Sequence, residues 1–444
     1  MTAVRSALVV LVLSALAVTL PAAAGPAAAG PAAAAAVTTP PPVAQAAPSA
    51  AAASAFYAAS FGKTPSVPAM TALGRALFFD PALSASGRMA CATCHDPRFA
   101  YGPADSRPVA NGGAGLDHAG LRAIPSLRYT QNVPPFSEQP LDEEGEQGSA
   151  DQAPVGGRTW DGRASSAHDQ ALLPLLSPFE TANASPAAIV GSIERAAYAA
   201  SFRDTFGSDV FATPAAAFKA VLLSLEVFQQ SAADFYPYSS RYDQWLRGRV
   251  QLSPQEQRGL VLFTDPAKGN CAQCHPSQIR RGAFPQFTDF GFSALGVPRN
   301  RRIPANADAA FYDLGLCGPE RADLANRPEY CGMFRTPTLR NVAVRCVFFH
   351  NGVFDSLRQV LEFYAGRDLQ PTRWYGRGED GRAQSYDDLP ARFRGNVDRT
   401  APLDRRPGDI PALSSTDIDD LLAFLRTLTD ADLEAAQPAK CRKR

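Results

Sequence analysis

Leu73–His95 reads LGRALFFDPALSASGRMACATCH, and Gln257–His275 reads QRGLVLFTDPAKGNCAQCH. Each stretch is an amphipathic run with a Phe near its end, followed by Asp-Pro, a loop and Cys-x-x-Cys-His. Asp-Pro stops each helix, because the residue before proline is pushed out of the α region. The second helix also has a clear start, with Ser253 as N-cap, Pro254 at the first helical position and Glu256 three residues after the cap. In Cys91-Ala-Thr-Cys94-His95, two thiols can form thioethers with the vinyl groups of one haem, and the adjacent imidazole lands beneath the iron. Cys271-Ala-Gln-Cys274-His275 repeats the arrangement. A single Cys-x-x-Cys could equally be a redox dithiol or half of a zinc site. The histidine directly after the second cysteine in both copies favours haem, and the repeat predicts two covalent haems, one per domain.

Outward from the repeat, Ser415–Thr429 carries Ile418, Leu421, Leu422, Leu425 and Leu428 on one helical face. A helix before each motif and another at the domain's end form the frame of a small haem-enclosing cytochrome fold. The stretches 111–152, 276–306 and 367–406 are rich in Gly, Pro, Arg and Asp and read as long loops. The expected class is mostly α, with two cytochrome c-like haem domains and long irregular loops. The expected divisions are an N-terminal haem domain at 55–245, a C-terminal haem domain at 246–432 and a tail at 433–444. Ahead of them, Arg5 precedes the apolar run Ala7–Leu20 and the small residues Ala22–Gly25, so 1–24 reads as a secretory signal peptide. The Ala/Pro-rich stretch 25–54 has too little apolar bulk to pack and reads as a disordered tether. These features predict a periplasmic protein with no membrane span after signal removal.

The 444 residues carry 43 basic and 43 acidic side chains, and this zero balance argues against nucleic acid as a partner. Of the eight cysteines, Cys317, Cys331, Cys346 and Cys441 lie outside the motifs. In an oxidising compartment they are expected to pair. Cys317–Cys331 is favoured because the two bracket one loop, which leaves Cys346–Cys441.

Further motifs add to the haem pair. Trp160-Asp-Gly-Arg163 is followed by Gln170, Pro174 and Glu180, and Thr336-Pro-Thr-Leu-Arg-Asn341 leads to His350-Asn-Gly352. In this ordered combination the chain resembles the bacterial di-haem cytochrome c peroxidases, in the broad group that also contains MauG, over about Phe56 to Asp430. Gln170 and Pro174 are four apart and share a face of a helix, which the proline would bend. Heterolysis of a peroxide bond needs a proton at the leaving oxygen, hence a positioned acid–base group. The resemblance implies that Gln170 and Glu180 serve on the distal side of the N-terminal haem, with Pro174 lining the pocket. It also implies that Trp160 lies between the haems and relays electrons. Thr181 departs from the methionine that often follows this glutamate in the family.

Classical members place a Met fourteen residues after the histidine of the His-x-Gly segment; from His350 that count reaches Tyr364, and MauG-type members also have Tyr there. Tyr364 is therefore the expected sixth ligand of the second iron. His118 is a weaker candidate for the first haem, His168 an ordinary helix residue, and His350 a supporting residue near the second haem. The resemblance implies a calcium ion between the haems, but Ala123, Arg345 and Val347 depart from its Asn, Thr and Pro. The expected function is hydrogen peroxide reduction at the N-terminal haem, with electrons arriving through the C-terminal haem from a small redox protein such as a cytochrome c or a cupredoxin. The alternatives are MauG-like oxidation of a protein substrate's side chain, or a non-catalytic electron-transfer cytochrome.

Overall fold

The computed structural model describes residues 56–57, 61–138, 154–435 and 441. The signal peptide, the tether and most of the tail lie outside the described residues. The chain is mainly helical, and each haem motif sits at the end of a helix that crosses a second, later helix. Val67–Phe79 crosses Pro214–Gln229, and Pro254–Thr264 crosses Ser415–Arg426. Asp80 and Asp265 are the C-caps of the two leading helices, and Ser253 and Glu256 form the capping box read from the sequence.

The crossings are built alike. A Cβ on Gly74 would stand 2.0 Å from the Ser224 carbonyl oxygen, and one on Gly259 would stand 2.1 Å from that of Asp420. The equivalent Phe78 and Phe263 pack their rings on Phe228 and Phe424, with centroids 5.5 and 5.1 Å apart. Glycine therefore lets backbone meet backbone at both crossings. Gly259→Ala is expected to lower stability by about 1–3 kcal/mol through overpacking, seen as a lower thermal midpoint. Gly395→Ala, whose added methyl meets nothing within 4 Å, should leave the midpoint unchanged. Equal midpoints for the two variants would refute the crossing argument.

Among the described residues the two largest hydrophobic cores follow these crossings, one from Met70 to Phe235 and the other from Tyr242 to Leu428. Buried ion pairs join the halves. Arg128 and the Tyr129 hydroxyl both donate to Asp430, at 2.9 and 2.6 Å, while Arg122 donates to Asp313 at 2.6 and 2.7 Å. Among the described residues the expected loops are irregular apart from short helices such as Pro371–Trp374 and Ala391–Asn396 and participation in two antiparallel ladders of two residues per strand. One pairs Asn111–Gly112 with His118–Ala119, and the other pairs Phe292–Ser293 with Phe334–Arg335. Both favoured disulfides, Cys317–Cys331 and Cys346–Cys441, are present. Among the described residues no helix is long and apolar enough to cross a membrane.

Candidate functional site

Each Cys-x-x-Cys-His motif opens onto its own large cavity, one in each half. The two histidines are held in the same way. His95 Nδ1–H donates to the Tyr101 carbonyl at 2.9 Å, and His275 Nδ1–H to that of Phe287 at 2.8 Å. Their backbone amides return to the carbonyls of Cys91 and Cys271. These bonds fix the tautomer and leave Nε2 as the lone-pair donor that an iron requires. Burial lowers both imidazoles, His95 to about 4, so each is neutral as a ligand must be. Burial also pushes the thiols of Cys91, Cys94 and Cys271 up to about 12 and that of Cys274 to about 11. A redox dithiol needs a low thiol pKa, so these pairs are unsuited to that role. The apolar cavities with a neutral imidazole beside paired thiols fit covalent haem.

Trp160 stands in the wall between the cavities and lines both. Its indole Nε1–H donates to the Ala123 carbonyl at 2.7 Å, and its carbonyl accepts from the Arg335 amide at 2.8 Å. The next three residues explain the motif. Asp161 is fully buried and accepts from Arg122 at 2.6 Å and Arg163 at 2.7 Å. Despite burial, these guanidinium groups hold its carboxyl well below the usual range. Gly162 has φ 66°, and a Cβ there would strike the Phe292 ring. Arg163 then reaches Glu320 at 2.6 Å.

Gln170 and Pro174 lie on the helix Ala167–Leu176, and with Glu180 they line the first cavity. The helix stops at Ser177, and Thr181 turns back so that its hydroxyl donates to the carbonyls of Pro174 and Leu175 at 2.8 and 2.9 Å. That is the work of the residue that departs from the family pattern. Gly112 allows its ladder to lie on the Phe179–Glu180 backbone, and the Gly113 amide donates to the Glu180 carbonyl at 2.7 Å. Glu180 lies exposed along the wall of the first cavity. Desolvation first, and the negative charge of Glu320 second, raise its carboxyl to about 7, against the opposing pull of Arg163.

The second cavity holds Cys271, Cys274, His275, His350 and Tyr364. Tyr364 projects from the helix Leu357–Gly366, and among the described residues its hydroxyl has no hydrogen-bond partner. Burial raises this phenol above its ordinary value. No methionine lines this cavity; Met89 lines the first, and Met333 lies beside the second without lining it. His350 stacks on Phe334 with centroids 3.4 Å apart, which suits a supporting residue.

His118 lines neither cavity. It is exposed and donates from Nδ1 to the Pro178 carbonyl at 3.2 Å. His168 is buried in its helix, bonded to Glu226 at 2.8 Å and stacked on Phe56. The residues missed in the sequence are Glu320, Arg335, Arg345 and Arg158. Glu320 belongs to the loop closed by Cys317–Cys331 and reaches the first cavity from the other half of the chain. Only the bracketing cysteines pointed to that loop.

The family model for di-haem cytochrome c peroxidase matches residues 68–251. The methylamine utilization protein MauG of Paracoccus denitrificans is 33% identical over 379 residues, covering 83% of this chain and 91% of that protein. The cytochrome c551 peroxidase of Nitrosomonas europaea is 27% identical over 329 residues, 73% of this chain and 80% of that one. Among solved structures, the diheme peroxidase BthA from Burkholderia thailandensis superposes with a TM-score of 0.75 at 40% identity, covering 88% of this chain and 93% of that one. With its paired Cys-x-x-Cys-His cavities and these relatives, the chain belongs to the di-haem cytochrome c peroxidase and MauG family and is an oxidoreductase carrying two c-type haems.

Proposed function

We propose that this protein is an exported peroxidase that reduces hydrogen peroxide at the N-terminal haem, held by residues 55–245, with electrons relayed through the C-terminal haem, held by 246–432. The observation that carries this reading is the asymmetry of two otherwise matched cavities, since Gln170 and Glu180 stand in the first and Tyr364 in the second. Cys91, Cys94 and His95 would hold one haem, and Cys271, Cys274, His275 and Tyr364 the other. Bound haem supplies the iron at which peroxide is reduced and the redox centre that stores and exchanges electrons.

Glu180, with a carboxyl near 7, takes a proton from the inner oxygen of peroxide and returns it to the departing one. Gln170 orients the substrate, and Pro174 keeps the pocket wall free of a backbone donor. Trp160 offers a π-system in the wall common to both cavities. Two electrons and two protons convert each hydrogen peroxide to two waters. The electrons come from a small redox protein, a cytochrome c or a cupredoxin, which docks on local charge because the net charge is zero. The two disulfides suit the periplasm, where such bonds persist.

The test is steady-state peroxide turnover with reduced cytochrome c, combined with inter-haem transfer kinetics of Trp160→Phe. Turnover by wild type and slowed transfer in the variant are expected. Unchanged transfer rates would remove Trp160 from the path, and no peroxide reaction in any oxidation state would favour a simple electron carrier.

A second reading, MauG-like oxidation of a partner protein's side chain, is favoured by Tyr364. A half-buried phenol that, among the described residues, has no hydrogen-bond partner is free to serve as an iron ligand, and a tyrosinate bound to iron would favour the oxidised metal. A high-potential second haem in a redox titration would count against it.

A further inference from the structure

The buried and half-buried arginines around the cavities and core fall into two sets. Arg128, Arg321, Arg340 and Arg367 are each bonded to a carboxylate, as with the Arg340–Asp243 pair at 2.9 Å. Arg122, also deep in the protein, has Asp161 and Asp313. Arg158, Arg335 and Arg345 are different. Among the described residues none of them makes an ion pair, and each side chain is hydrogen-bonded only to backbone carbonyls. Arg158 donates to Thr130 at 3.0 Å, Arg335 to Thr159 at 3.0 Å, and Arg345 to Ile124 at 3.1 Å. The Nε of Arg158 is buried with no partner at all.

The nearby carboxylates are already committed. Asp161, the acid that acts on Arg335, serves Arg122 and Arg163. Glu226, which acts on Arg158, is bonded to His168 and Tyr57. Burial accordingly lowers Arg335 and Arg345 to about 10 and lowers Arg158 as well. Arg158 is a buried cation without a counter-charge, which is strongly unfavourable. The half-buried Arg335 and Arg345 present unpaired guanidinium groups to the cavity walls, where an anion would complete them.

Their location identifies those anions. Arg158 lines the first cavity, Arg345 the second, and Arg335 both. Arg335 and Arg345 also line a small hollow between the two, together with Trp160. Covalent attachment through the vinyl groups leaves a haem's propionate carboxylates as its only anionic edge. A planar guanidinium fork is the preferred partner for a carboxylate.

We propose that Arg158, Arg335 and Arg345 are the counter-ions of the haem propionates, and that Arg335 and Arg345 form a cationic partition shared by the two haems. The inference rests on one haem occupying each cavity. With these charges in place, each iron sits near a fixed positive field that favours its reduced form. The partition, which shares its hollow with Trp160, would thereby raise the potentials of bound haems.

The experiment uses the full holoprotein with Arg335→Gln and Arg345→Gln, alongside Arg335→Lys and Arg345→Lys. Haem is first counted by pyridine haemochrome, so that loss of attachment is separated from loss of the ion pair. Fewer than two haems in wild type would overturn the underlying cavity reading. With two haems attached, each Gln variant is expected to lower the reduction potential of at least one haem, with partial recovery in Lys. Resonance Raman bands of the propionates should shift in both sets, since Lys keeps the charge but loses the fork. Should the Gln variants fail to mature, the Lys variants alone decide through the Raman bands. Unchanged potentials and unchanged propionate bands would overturn the proposal and leave the arginines solvated by cavity water.

Discussion

Glu180→Gln is expected to lower peroxide turnover by about 10²- to 10⁴-fold, the usual worth of a positioned acid–base group, with both haems still attached. Glutamine keeps the shape of the side chain and can still donate a hydrogen bond, but it cannot carry a proton from one peroxide oxygen to the other. The pH profile provides a second test. The carboxyl titrates near 7, and the ionised form must be present to accept the first proton. Wild-type rate should therefore rise as pH increases through about 7, and the variant should lack that limb. Stopped-flow mixing with peroxide over a pH series measures both effects. A variant that keeps the wild-type rate and the same limb would remove Glu180 from the proton path.

Tyr364→Met should raise the potential of the second haem on the order of a few hundred millivolts, within the ~0.8 V that axial ligands span. The physical cause is the exchange of a hard anion, which stabilises the oxidised iron, for a neutral thioether, which favours the reduced one. The phenol stands in the cavity wall with Cys271, Cys274 and His275 and has no hydrogen-bond partner among the described residues, so no bond to them is lost. A redox titration with the two haems resolved spectroscopically would read the shift. Tyr364→Phe provides the complementary test, because it removes the donor oxygen and nothing else. An absorption spectrum of Tyr364→Phe identical to wild type would end the ligand assignment. A raised potential would also be expected to make the protein a better acceptor of electrons from a small redox partner and a poorer oxidant of a protein side chain.

Much of the frame is local and therefore legible. The Ser253–Glu256 capping box, the Asp-Pro stops and the apolar face of Ser415–Arg426 each depend on residues a few positions apart. The attachment motifs are contiguous, and Gln170, Pro174 and Glu180 are joined by one helix and one turn. The remainder of the site is assembled over long separations. Glu320 reaches Arg163 from 157 residues further along the chain, through a loop with no periodicity. Arg335 is delivered by a ladder of two residues per strand, too short to leave a pattern. Arg345 was visible only as a departure from the family's calcium position, which carried no hint of its unpaired charge. His118 was a weak candidate because its Gly-rich loop is where classical family members can carry a gating histidine, and its ladder turns it to solvent.

The first cavity is walled by both halves of the chain. The glycine crossings and attachment motifs match in the two halves, yet neither half alone lines a complete cavity. Glu320 and Arg335 belong to the later half and line the earlier half's cavity. Residues 55–245 expressed alone would thus retain an attachment site while losing an acid and a cation from its wall. Side chains lent across the seam thus tie the chemistry of each half to the presence of the other.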